Sequence, residues 1–154
     1  MNHWLMKSEP DVFGVDDLAK SPRRTTFWSG VRNFQARNFM RDGMRVGDLA
    51  FFYHSNCDEP GIVGVMKVVK AGYPDHTAFD RSCDGFDPDS DSSHPRWYMV
   101  DVQLIRKLAR PITLTRLRQY EKRELKGLAL LQRGNRLSVT PVSASHWDFI
   151  LDLA

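Results

Sequence analysis

Two tryptophans, a set of small polar residues and several arginines are the side chains of this 154-residue chain whose types and spacing point to chemistry. The segment WSGVRNFQARN, residues 28–38, joins an indole, a Ser29–Gly30 turn and a favoured helix N-cap, Asn33. A base lifted from its stack offers two π faces and a hydrogen-bonding edge, and aromatics beside polar and cationic groups suit it. Trp28 and Trp97 are the candidate sandwich. Asn33, which both donates and accepts, would read the edge with Ser8, Ser29, Ser55 and His54, and Tyr53 is open to either a site or a core role. Lys7, Arg24, Arg32 and Arg136 would neutralise phosphates. Trp4, Trp147 and Phe39 read as core aromatics.

Other chemistries find little support. His3, His54, His76, His94 and His146 form no HExxH or paired pattern with Cys57 and Cys83, so no metal is expected. Asp87, Asp89 and Asp91 imitate the start of a calcium loop, but Ser92 replaces the glycine and Tyr98 the closing glutamate. There is no GxSxG elbow, and the adjacent His54 and Ser55 would point to opposite faces of a strand. Glu9, Asp48 and Asp101 have no spacing that pairs them, and neither GxGxxG nor GxxxxGK[ST] occurs. The expectation is a non-enzymatic chain without a cofactor; a small hydrolase using His54 with Glu9 or Asp101 is the lesser alternative.

The length fits one domain, residues 1–154, burying roughly two-thirds of its unfolded surface. Two cysteines outside any CxxC pattern suggest a reduced setting, and the opening residues show no basic start followed by a long apolar run, nor does any window reach spanning length, so a cytoplasmic, soluble monomer is expected. The net charge of +3 is modest but segregated. Arginines gather in the N-terminal third, at 23, 24, 32, 37, 41 and 45, while acids crowd residues 75–91, and a basic face is the electrostatic footprint of nucleic-acid binding.

The elements that must position these groups follow from hydrophobic period and punctuation. A strand is expected over His3–Lys7, a helix around Val15–Lys20, and, behind the Trp28 loop, a helix over Phe34–Met40 capped by Asn33. Leu49–His54 and Ile62–Lys70 read as a hairpin, with Gly64 marking a bulge or a close backbone approach. Residues 72–95 read as a surface loop too polar to bury. Arg96–Leu108 alternates as a half-buried strand with Trp97 on its more polar face. Pro111 opens a helical region, Arg136–Thr140 is the last strand, and Ser143 caps a final helix burying Trp147, Ile150 and Leu151. Five or six short strands among short helices make an α+β chain: a small mixed sheet or open barrel. If the ends of three strands meet the Trp28 loop at one mouth, they form a pocket with two indole walls.

Long blocks of the chain then resemble a known family. WLMKSEP (4–10), WSGVRNFQARNFMR (28–41), GDLAFFYHS (47–55), GIVGVMKVV (61–69), YPDHTAFD (73–80), PRWYMVDV (95–102) and GNRLSVTPV (134–142) are similar to the EVE-domain family of the PUA-like superfamily. Phe34 and Phe86 stand where that family usually has tyrosine. The resemblance implies a PUA-like mixed β-barrel of five to six strands with short helices packed around it. It further implies recognition of a methylated or hydroxymethylated base in DNA or RNA, as in the related YTH domains that read methyladenine. By similarity, Trp28 with Ser29, and Trp97, correspond to the aromatic cage of those relatives; Lys7 and Ser8 match a Lys-Ser at the end of the first strand. A general RNA-binding PUA-type module is the alternative among binders.

Overall fold

Strand Leu49–His54 explains the architecture best, because its unbroken apolar run suits a strand buried on both faces. In a computed structural model describing residues 1–154, it is the central β3 of a six-stranded mixed sheet. Its neighbours are β1 (His3–Ser8), parallel to it with Leu5 opposite Phe51, and β4 (Gly61–Pro74), antiparallel with Phe51 opposite Val65. Beyond β4 lie β5 (Tyr98–Thr113) and then β2 (Thr25–Trp28); beyond β1 lies β6 (Val139–Val142), so β2 and β6 are the two edges. Alternation along β1 and β3 feeds two cores. Trp4, Met6, Ala50 and Phe52 join one, with Trp28 and Met66; Leu5, Phe51 and Tyr53 join the other, with Ile62 and Trp147.

The helices are short. They are α1 (Val15–Lys20), α2 (Phe34–Asn38), α3 (Leu114–Arg118) and α4 (Ala144–Asp152). Asn33 caps α2 by accepting from the Gln35 and Ala36 amides, and Ser143 caps α4 from the His146 amide. The helix expected to reach Met40 passes instead into a π-turn over Phe39–Gly43. The β3–β4 hairpin and the Gly64 irregularity are as expected: pairing with β5 shifts at Gly64, and a Cβ there would lie 3.1 Å from the Arg106 carbonyl oxygen.

Four expectations need correction. Trp28 is not in a loop but ends β2, opposite Val100, since the paired β5 supplies a ladder that this short segment could not reveal. Pro111 lies within β5, where pairing jumps from Gly64–Lys107 to Ile62–Ile112, so its missing N–H breaks no ladder bond; the helix starts at Leu114, capped by Thr113. Arg136 precedes the last strand, which runs over Val139–Val142. Residues 72–95 are not all surface: β4 continues to Pro74, and Asp75, Thr77 and Ala78 are buried.

Candidate nucleic-acid interface

The sheet curls so that the end of β1 and the end of β2, far apart in strand order, wall one cavity of about 430 Å³. Lys7 and Ser8 form one side, with Val12 and Phe13 from the loop that follows β1. Thr26, Phe27 and Trp28 of β2 form another, continued by Ser29, Gly30 and Val31, and Ser138 closes it beside β6. Trp28 is only 6% exposed, set by an edge-on contact with Phe52, ring centroids 5.2 Å apart.

Asp75 fixes the loop after Trp28. Its carboxylate is fully buried and accepts from the Gly30 amide at 2.9 Å, from Arg32 Nη1 at 3.0 Å, and from the Thr77 amide and hydroxyl at 2.9 and 2.6 Å. Burial alone would push this carboxyl up, but the bonds from Thr77, Gly30 and Arg32 together outweigh it and hold the group below its ordinary value. Gly30 takes φ +84°, a conformation that a side chain would strain. The turn is thus held from behind by a charge and lies open in front.

Several polar groups in the cavity have no protein partner. Lys7 is a cation partly removed from water, its pKa lowered by burial, with no carboxylate within ion-pair reach. The side-chain hydroxyls of Ser29 and Ser138 make no hydrogen bond within the protein, whereas Ser8 donates to the Phe13 carbonyl at 2.6 Å and keeps only accepting capacity. The recess can therefore donate to an incoming acceptor from three directions and present an indole beside it.

The structure brings Lys7, Ser8, Trp28 and Ser29 together and leaves the other expected site residues elsewhere. Trp97 does not line the cavity. It precedes β5, is 7% exposed, stacks on Phe34 at 4.8 Å, has the Arg32 guanidinium 5.4 Å from its ring centroid and donates Nε1–H to Asp87 at 2.7 Å. The two-indole sandwich is not assembled, because those partners cover the surface that a base would need. Arg32 is no free phosphate ligand: besides Asp75 it donates to the Gly85 carbonyl at 3.0 and 2.6 Å. Arg24 is exposed on a turn outside the cavity. Tyr53 is a core residue whose hydroxyl is pushed up to about 12 by burial. Ser55 stands behind Ser8, its amide donating to the Ser8 carbonyl at 3.0 Å.

His54 points to α1, accepting from the Val15 amide at 3.1 Å, and burial lowers its pKa. Glu9 accepts from Asn56, and Asp101 from the Tyr73 hydroxyl, so neither carboxylate orients His54. Asp48 accepts from the Trp4 indole at 3.0 Å. Asn33 spends its oxygen on the α2 cap and lines a neighbouring groove with Arg136. No group of three or more His, Cys, Asp or Glu side chains is placed to hold a metal ion, and both cysteines are free. No helix is long and apolar enough to cross a membrane.

The sequence and fold also have close counterparts. The EVE domain family matches residues 2–153. The chain belongs to the EVE-domain family. This EVE domain is 47% identical to human thymocyte nuclear protein 1, over 99% of the chain and 73% of the human protein. The crystal structure of human THYN1 in complex with 5-methylcytosine-containing DNA matches it with a TM-score of 0.95, covering 99% of this chain and 97% of that one. A Pseudomonas putida protein of known structure is 44% identical, with a TM-score of 0.92 and 98% of each chain covered. The mixed six-stranded architecture of the EVE domain is that of these relatives.

Sequence reasoning missed Asp75, Phe13, Val12 and Thr26 as parts of the site. Asp75 carried one local signal, an Asp two residues before Thr in a turn-forming stretch, which is the pattern of a side chain bonding its own backbone two residues on.

Proposed function

We propose that this chain is a non-enzymatic reader of modified DNA that takes one modified base, a methylated or hydroxymethylated cytosine, into the cavity between β1 and β2. The carrying observation is the recess itself: an indole wall, a partner-free lysine and two unspent hydroxyls around a turn locked by a buried carboxylate. The relative bound to 5-methylcytosine-containing DNA supports the choice of partner. Trp28 meets the base through the part of its indole that walls the recess, up to the about 1–3 kcal/mol that a base–aromatic stack contributes. Lys7, Ser29 and Ser138 meet acceptors on its edge, and Val12, Phe13 and Val31 supply apolar surface for the substituent. Burying one methyl contributes only about 0.8 kcal/mol, about fourfold in affinity, so stacking holds the base and fit selects it. Trp97 acts as a positioning residue, packed against Phe34 and Arg32 behind the turn.

Fluorescence anisotropy with short DNA and RNA, single- and double-stranded, carrying methylcytosine, hydroxymethylcytosine, methyladenine or no modification, tests this at physiological salt. Preference for one modified cytosine, with binding weakened in Lys7→Met while the fold persists, is the expected result. Equal affinity for all DNAs would reduce the chain to a general nucleic-acid module, and a uniform preference for RNA would move it to the RNA-binding alternative.

A further inference from the structure

Beside the cavity lies a second recess that the base-reading role leaves unused, and we propose that it is a phosphodiester site that holds the strand flanking the bound base. It rests on the reading above and adds the backbone contacts. The groove is shallow and open, spans about 490 Å³ and is lined by Asn33, Gln35, Arg133, Asn135 and Arg136, with Gly134 at its turn. No carboxylate lines it, and neither arginine has an ion-pair partner, although both are exposed. Two unspent guanidiniums on one concave wall are a donor set for phosphate oxygens.

The loop that carries them is pre-formed. Gly134 takes φ +77°, and Asn135 bolts the turn at both ends: its Nδ2 donates to the Ala129 carbonyl at 2.8 Å and its Oδ1 accepts from the Leu137 amide at 2.9 Å. A rigid loop loses less freedom on binding than a mobile one. The opposite wall is equally settled, because Asn33 is fixed as the α2 cap with its amide hydrogens unspent.

Position decides the ligand. Leu137 lines the groove and its neighbour Ser138 lines the cavity, while Val31 lines the cavity and Asn33 the groove. Two segments therefore pass together from one recess to the other, with consecutive α-carbons ~3.8 Å apart. A nucleotide seated against Trp28 would carry its own phosphates across this boundary.

The test is a salt titration of anisotropy with one duplex containing a central methylcytosine and its unmodified twin. Each phosphate neutralised contributes about 0.9 to the slope of log K against log salt, so Arg133→Gln/Arg136→Gln should flatten that slope by about 1.8 and lose about 12-fold less affinity than the wild type between 50 and 200 mM salt. The methylated-to-unmodified ratio should stay at its wild-type value. Arg106→Gln/Arg110→Gln removes the same charge from a separate recess near the C-terminus and should leave the slope nearly unchanged. Equal flattening by both pairs, or none by the first, overturns the groove assignment while leaving the base reader intact. No binding of either duplex by the wild type overturns both.

Discussion

Replacing Asp75 with asparagine should damage the fold and the site together, and the size of the loss can be worked from its contacts. Asparagine can still accept from the Thr77 amide and hydroxyl through one oxygen, but its NH2 group would then face the Gly30 amide and Arg32 Nη1, donor against donor. A hydrogen bond to a charged group is worth about 1.5–3 kcal/mol, and breaking a buried ion pair costs about 3–5 kcal/mol. Arg32 is 24% exposed and keeps its bonds to the Gly85 carbonyl, so the lower part of that range applies. The expected cost is about 3 kcal/mol, or about 6–12 °C in Tm for a chain of this size. Urea and thermal unfolding measure it, and anisotropy should show weaker binding of methylated DNA because the Ser29–Val31 turn loses its rear anchor. The pH dependence carries a sign. A carboxyl held below its ordinary value of 3.8 contributes stability above that value and loses it as pH falls through the lowered one, so the gap between wild type and Asp75→Asn should close in acid. A change under about 0.5 kcal/mol, typical of surface positions, would refute the anchor.

Trp97→Ala should cost about 3–5 kcal/mol of stability in urea unfolding, as for a large core aromatic; a cost within about 0.5 kcal/mol would place the ring outside the packed structure. Lys7→Met should leave stability equal or raise it while weakening binding of methylated DNA. Burial disfavours the lysine's charge, so its penalty exists at low pH and fades as pH rises to its ordinary 10.5, and any stability gain of the variant should shrink over the same window. Wild-type affinity should fall as pH rises through the lowered lysine value, and that of Lys7→Met should stay flat; parallel profiles would remove Lys7 from the site.

Strands with a strong one-dimensional signature were legible: β3 matches its apolar run at both ends, and α1, the Asn33 cap and the Ser143 cap follow from residue type alone. Elements that owe their existence to a partner were not. Thr25–Trp28 is a strand because β5 offers it a ladder, and Pro111 sits in one because a bulge excuses its missing N–H. Part of the site was visible in the same sense. Trp28, Ser29, Lys7 and Ser8 carry composition that reads as binding, and the fold brings them together. Trp97 and Arg32 have the same composition but spend it on Phe34, Asp87, Asp75 and Gly85, partners distant in sequence. Asp75 was hidden by the opposite error, since a polar stretch gives no sign that one of its carboxylates is fully buried.

The two edges of the sheet give the cavity an unusual kind of freedom. β2 forms one wall and Ser138, at the approach to β6, another, yet these edges share no hydrogen-bonded ladder. The recess is the seam of a barrel that does not close. Strands inside a ladder are bound to their register, so altering one displaces its neighbours. Walls that meet only across an opening escape that constraint. Substitutions at Thr26 or Phe27 can reshape one wall while β1, β3 and the core behind them keep their places, so this scaffold can acquire a new base preference by small steps without being folded anew.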